Sequence, residues 1–250
     1  MYDYHMHSTV SFDARDTALN MALAAKARGL KEICFTDHLD YPPDANMAFD
    51  TAVYNAAYDN LEVPGLLIRK GMEFGLTPDN ADQLQKDLNR RHFDFVIGSV
   101  HLVGDADIYM EPYWMDKSYE EAIRLHLETT LEAVRAHEDY DVLGHLTYIS
   151  KCGANPRKEL LRYDDHKSIF DEILREAEDC FRDKYDDEYA HRLWRCEFWG
   201  KLVLSAVRVC RMKDSEGLKE DIRRRIDLLG KILVELKQCA YLGRIFFCES

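Results

Sequence analysis

Five short segments place potential metal ligands behind strand-like apolar runs. They are His5-Met6-His7, Thr36-Asp37-His38, Gly71-Met72-Glu73, Gly98-Ser99-Val100-His101 and Gly144-His145. His5 and His7 stand two residues apart. Alternate side chains of a strand share a face, so both imidazoles can grip one ion, with Tyr2, Tyr4 and Met6 turned the other way. Two surface histidines near a chain end would look the same in isolation, but the place of this pair at the end of a first strand favours ligation. Glu73 follows Leu66-Leu67-Ile68 and is flanked by Gly71 and Gly75. Glycines there let the backbone approach a ligand. A carboxylate can bridge two cations, so Glu73 is the natural shared ligand. His101 follows Phe93-Asp94-Phe95-Val96-Ile97, and His145 follows Asp141-Val142-Leu143. His38 closes the run from Glu32, and the neighbouring Asp37 reads as a group that orients an imidazole. Asp13, taken alone, reads as an ordinary residue at the start of a helix. His92, His126, His137, His166 and His191 fall in helices or strand starts and carry no ligand signal.

Imidazole and carboxylate without thiolate suit Zn, Mn or Fe. Two or three such ions, about 3.5–4 Å apart, polarise a phosphoryl oxygen, acidify a bridging water and neutralise a leaving oxygen. That is the equipment of a phosphoesterase. A metal-dependent amide hydrolase uses similar parts, so ligand types alone leave the substrate open.

The elements that must position these residues alternate between strand and helix. Strands are predicted over Tyr2 to His7, Glu32 to Thr36, Leu66 to Glu73, Phe93 to Val100 and Val142 to His145. Helices are predicted over Ala18 to Arg28 with Gly29 as C-cap, and over Thr51 to Leu61, Ala81 to Arg91 and Asp165 to Phe181. Ser118-Tyr119-Glu120-Glu121 is a capping box that opens a helix running to about His137. A loop around Tyr41-Pro42-Pro43 and an aromatic insertion from Gly104 to Lys117 interrupt the pattern. This β/α alternation argues for parallel strands with crossover helices, and the active site of a parallel α/β barrel lies at the C-terminal ends of its strands. The last third is harder to read. Arg195 to Trp199 and Lys231 to Leu236 are possible strands, and Ser215 to Leu229 is a helix ending at Gly230.

With 250 residues the chain can bury one barrel-sized core. A net charge of -13 argues against non-specific binding to nucleic acid or anionic membrane. There is no apolar run long enough to span a bilayer, and the first ligand pair follows Met1 almost at once, so a cytoplasmic location is expected. The seven cysteines show no CxxC spacing and read as free thiols.

The segments HMHSTVSFD, FTDHLDY, GMEFGL, FVIGSVH, LGHLTYISKCG and RYDDHKSIFDEIL resemble the PHP (polymerase and histidinol phosphatase) family, specifically its histidinol-phosphatase branch. The resemblance covers roughly residues 1 to 180. It implies one domain over residues 1–250, an α/β fold of the distorted (β/α)7 TIM-like barrel type, with an atypical portion over 181–250. It further implies two to three divalent ions. His5, His7 and Glu73 would hold the first, Glu73, His101 and His145 the second, and Asp13 and His38 would contribute to the third. Glu73, His101 and His38 would carry the catalytic work. The implied reaction is hydrolysis of L-histidinol phosphate, a small phosphorylated metabolite of histidine biosynthesis, by in-line attack on phosphorus. Arg157 and Arg162 are candidates to hold the phosphate.

The family closes its site with a late Ser-Asp-Ala-His segment, and this chain has none. After Gly230 to Val234 it reads Glu235-Leu236-Lys237-Gln238-Cys239-Ala240-Tyr241. Back-translation of Lys237 to Tyr241, read one nucleotide later, permits a histidine at the required spacing. Asp187, Glu197 and Asp214 are alternative late carboxylates. The competing expectations are a metal-binding protein without turnover and a phosphoesterase acting on another small phosphate ester.

Overall fold

The computed structural model describes residues 2–40, 50–157, 159 and 161–184. These belong to residues 1–190, one of two units into which the chain divides. The expectations for Tyr41-Pro42-Pro43, for the late strands and helix, and for one domain over the whole length lie wholly or partly outside the described residues.

Strand β1 (Tyr2–Met6) leads through helix α1 (Ala18–Ala27) to β2 (Glu32–Leu39). Helix α2 (Thr51–Tyr58), strand β3 (Leu67–Gly75), helix α3 (Ala81–Leu88) and strand β4 (Phe95–Ser99) follow. A hairpin of β5 (Leu102–Val103) and β6 (Ala106–Asp107) then opens the aromatic insertion, which ends in the short helix α4 (Glu111–Trp114). Helix α5 (Tyr119–Ala136), strand β7 (Val142–Leu143) and helix α6 (Lys167–Lys184) complete the described elements.

Five strands pair in parallel in the order β1-β2-β3-β4-β7. Each new strand joins the same edge, which is the winding of a barrel and not of a doubly wound sheet. The winding sets Glu73 on β3, the middle strand, with strands that lead to the candidate histidines on both sides. Ile33, Cys34 and Phe35 of β2 and Val96 and Ile97 of β4 are buried, as expected for parallel strands covered on both faces.

The helix ends follow local chemistry. Thr17 Oγ1 accepts the Asn20 amide at 3.3 Å, and Gly29 stops α1 at φ 80°. There its N–H reaches the Lys26 carbonyl at 2.9 Å and that of Leu30 reaches Ala25 at 3.1 Å, the double bond of a Schellman stop. Ser118 Oγ accepts the Glu121 amide at 3.2 Å and opens α5, as its capping box predicts. The hairpin β5-β6 turns at Gly104, where φ is 58°.

Two expectations need correction. β2 does not stop at Thr36 but runs to Leu39, because its last residues pair with β3 as far as Leu39 opposite Phe74. In β1 the register slips between Asp3 and Met6. Such a bulge breaks strict alternation. Tyr4 therefore does not face away from the histidines, but packs on the Cys34, Phe95, Ile97 and Val142 cluster, its ring 5.2 Å from that of Phe95. Its hydroxyl donates to Glu32, which also accepts Arg69 Nε at 2.8 Å. These three side chains join the amino ends of β1, β2 and β3, opposite the ligand-bearing ends.

Candidate metal centre

The five ligand segments converge at the carboxyl ends of the parallel strands. Glu73 is fully buried and is the hub. Its Oε2 lies 2.9 Å from His5 Nε2, 3.0 Å from His7 Nε2 and 3.8 Å from His38 Nε2. Its Oε1 lies 2.8 Å from His145 Nε2 and 3.3 Å from His101 Nε2. The two oxygens thus face two histidine groups, as a shared ligand requires. Asp13 joins from the loop after β1, with Oδ2 2.8 Å from His7 Nδ1 and 3.6 Å from His38 Nε2. Asp13 is therefore not an ordinary helix-start residue, since it lies in the loop before α1 and beside two imidazoles.

Among the described residues, four groups have donor atoms within 4.8 Å of one another: His5, His7 and Glu73; His7, Asp13 and His38; Glu73, His101 and His145; and His38, Asp40 and His101, in which the imidazoles turn Nδ1 to the carboxylate. The residues fit divalent cations on the chemistry of the donors themselves. The two oxygens of Glu73 are shared among five imidazoles, and His7 Nε2, buried 3.0 Å from Oε2, makes no well-directed hydrogen bond. Cations set among these nitrogen and oxygen donors would relieve that crowding.

Charge follows from the same crowding. Burial works against ionisation of Glu73, but His145, His101 and His5 outweigh it and hold the carboxyl well below its usual range. Burial also opposes charge on His7, yet the neighbouring carboxylates of Asp13 and Glu73 push its pKa up to about 10. His101 reaches about 10 for the same reason, with Asp40 and Glu73 as its partners. His145 is pushed down to about 4 by burial, reinforced by the neighbouring His101 and His5.

The model of the family described as PHP domain matches residues 3–184. The chain belongs to the PHP domain family. Among curated PHP relatives, a histidinol-phosphatase of Lactococcus lactis subsp. lactis (strain IL1403) is 33% identical over 178 residues, covering 69% of this chain and 66% of the relative. A probable histidinol-phosphatase of Clostridium acetobutylicum is 28% identical over 177 residues, covering 70% and 68%. The chain thus spans about two thirds of the length of these relatives. Among solved structures, a histidinol phosphate phosphatase from Lactococcus lactis, complexed with Zn, L-histidinol and phosphate, superposes with a TM-score of 0.63 at 31% identity. That match covers 72% of this chain and 70% of the other. A putative histidinol phosphatase from Listeria monocytogenes shares the fold with a TM-score of 0.56 at 15% identity, covering 72% of this chain and 80% of the other.

Other expected PHP residues have different places. Asp37 orients no imidazole. It is buried, and its Oδ1 accepts the Ser8 amide at 2.7 Å while its Oδ2 accepts the Tyr58 hydroxyl. Arg157 is half-exposed, with Nη1 2.7 Å from Glu120 Oε1 and its guanidinium 4.3 Å above the Tyr119 ring. Arg162 is exposed at the start of a 3-10 turn. Asp187, Glu197 and Asp214 lie outside the described residues. His126 belongs to none of the ligand sets; it is buried, and its pKa is pushed down to about 3 by burial and by the nearby His145 and His101.

Residues that sequence reasoning passed over also line the centre. The Tyr148 ring stands 4.8 Å from that of His145 and 5.4 Å from that of His101. Phe12 is more than half exposed and lies 5.3 Å from the His38 ring. Their signal was adjacency: Phe12 precedes Asp13, and Tyr148 falls three residues after His145. Asp40, two residues after His38, is buried against both His38 and His101.

Proposed function

We propose that the chain is a metal-dependent phosphomonoesterase that hydrolyses L-histidinol phosphate to L-histidinol and phosphate. The observation that carries this reading is the buried Glu73, gripped by His5 and His7 at one oxygen and by His101 and His145 at the other. The named activity of the Lactococcus relative, and its complex with Zn, L-histidinol and phosphate, support it.

Two to three divalent ions, Zn, Mn or Fe, fit the donors. His5, His7 and Glu73 would hold the first, Glu73, His101 and His145 the second, and Asp13 and His38, with His7, the third. Ions bound there supply electrostatic stabilisation to a phosphoryl group and acidify water. The chain's own residues do the rest. Glu73 stays ionised and fixes the spacing of the sites. Tyr148 and Phe12 wall the centre with aromatic surface and limit the water around it. Arg157 and Arg162 are the candidates to hold the phosphate, and Arg157 would have to leave Glu120 to do so.

The test is phosphate release from L-histidinol phosphate by the purified full chain with added Mn or Zn, beside His101→Ala. Turnover that disappears in His101→Ala is the expected result, with a loss of at least about 100-fold, in keeping with the loss on removing one charge-stabilising group. No release from a wild-type chain that holds metal would overturn the proposal. The absence of the late Ser-Asp-Ala-His segment favours that second reading, a PHP metal protein without turnover.

A further inference from the structure

We propose that Asp40 is a positioning residue that ties the second metal set to the third by holding His101 and His38 from behind at once. This rests on the reading of the centre as a metal site. Asp40 Oδ1 lies 2.7 Å from His101 Nδ1, and Asp40 Oδ2 lies 3.4 Å from His38 Nδ1. The two imidazoles belong to different ligand sets: His101 stands with Glu73 and His145, and His38 with His7 and Asp13. One buried carboxylate therefore serves both sets, one oxygen to each ring.

Ring geometry gives the contact its meaning. His101 turns Nε2 to Glu73 Oε1 at 3.3 Å, and His38 turns Nε2 to Asp13 at 3.6 Å and to Glu73 at 3.8 Å. In both rings Nε2 faces the centre and Nδ1 faces Asp40. A carboxylate can only accept at neutral pH, so it selects the tautomer with hydrogen on Nδ1 and frees the Nε2 lone pair for an ion. His38 Nδ1 is buried and without a hydrogen-bond partner, and Asp40 Oδ2 is placed to become one. Asp40 could be read instead as a ligand, since it groups with His38 and His101. That reading would take Nδ1 of both rings as donors and leave both Nε2 atoms facing the carboxylates of Glu73 and Asp13 with no metal to serve.

The chain also makes room for Asp40. A Cβ at Gly75 would overlap Asp40 Oδ1. Gly75 ends β3, two residues beyond Glu73, and the missing side chain is what lets the carboxylate sit beneath the two rings. Gly75→Ala therefore displaces Asp40 without removing its charge, which makes it an independent variant.

The experiment compares the wild-type full chain with Asp40→Ala, Asp40→Asn and Gly75→Ala. Zn content and affinity are measured, and two-bond 1H–15N spectra of histidine-labelled protein report which ring nitrogen carries hydrogen. In the Zn-loaded wild type, His38 and His101 are expected to carry hydrogen on Nδ1 and to bind through Nε2. Asp40→Ala and Gly75→Ala should each weaken Zn at two sites by about 10–100-fold, the usual effect of losing such a partner. The ion on His5, His7 and Glu73 should remain. Asp40→Asn keeps a single acceptor, so one site should weaken and the other persist. Unchanged Zn affinity and tautomers in a folded Asp40→Ala or Gly75→Ala chain would overturn the role of Asp40 alone. Coordination through Nδ1 in the wild type would overturn it in favour of a direct ligand. A wild type that binds no Zn would overturn the metal reading beneath it.

Discussion

A metal ion entering the proposed centre would meet His7 and His101 as cations. Each is pushed up to about 10 by partners that outweigh burial, so both rings are protonated at pH 7 in the metal-free chain. An ion needs a free ring nitrogen, so binding must expel protons, and affinity should rise with pH. With two rings the slope reaches up to about a hundredfold per pH unit between about 7 and 10. Calorimetry of Zn binding in buffers of different ionisation enthalpy should show about two protons released per loaded centre. Release of none would show that the rings are neutral beforehand. The metal-free chain has the opposite trend. A histidine whose folded pKa is raised contributes stability that is present in full below about 6.5 and lost as pH rises through about 10. Its unfolding midpoint should therefore fall from pH 7 to 10. The depressed carboxyls of Glu73 and Asp13 act at the other end, where their contribution is lost on acidification. At this scale residue type was enough to find the hub, since the carboxylate between glycines behind an apolar run lies buried among the imidazoles. Asp13 was legible only by family resemblance, because a lone aspartate after a strand carries no spacing signal.

Elements decide which aspartate does what. The run ending at His38 contains Asp37 and is followed by Asp40. Sequence reasoning assigned the orienting role to Asp37, the neighbour of the histidine. That choice rested on Asp37 standing next to His38 where the buried strand ends. Pairing with β3 instead carries β2 to Leu39, and alternation along the added residues turns Asp37 away from His38. Asp37 meets α2, where it accepts the Tyr58 hydroxyl, while Ser8 Oγ lies 2.6 Å from that hydroxyl. Asp40, just past the strand end, returns to the centre. A strand's length is set by its partner's register, which no local pattern reveals, and this is why helix starts such as Ser118 were legible and this strand end was not. The Tyr58–Asp37–Ser8 junction fastens the turn after His7 to the end of β2. Tyr58→Phe leaves the buried Asp37 short of a donor, so it should destabilise the chain by about 1–3 kcal/mol. Denaturant unfolding of the metal-free protein measures it, and a loss under about 0.5 kcal/mol would mean that the junction is not structural.

Across the molecule, the candidate ligands gather at the carboxyl ends of the five strands of one parallel sheet, with Glu73 on the middle one. A barrel was legible in the alternation of elements and in ligands recurring at strand ends. The sequential strand order then explains how residues as far apart as His5 and His145 reach one carboxylate. The late part of the chain gave no such reading, because its ligand pattern departs from the family's and the composition offers only scattered carboxylates. Among the described residues no helix is long and apolar enough to cross a membrane. A centre assembled from five strand ends exists only when the sheet is formed, so ions that bind it bind the folded chain and not the unfolded one. Binding of that kind adds about 2.7 kcal/mol when free ion stands at 100 times its dissociation constant. In a domain of this size about 1 kcal/mol moves the unfolding midpoint by roughly 2–4 °C. One ion should thus raise the midpoint by roughly 5–11 °C, and a second and third should add to it. Removing metal with a chelator and restoring Zn or Mn in steps, with the midpoint read by calorimetry, tests this directly. A midpoint that ignores chelation would mean that the five strand ends hold their geometry without ions. A rise that stops after one ion would place the loss at the second and third sets, which Asp40 joins.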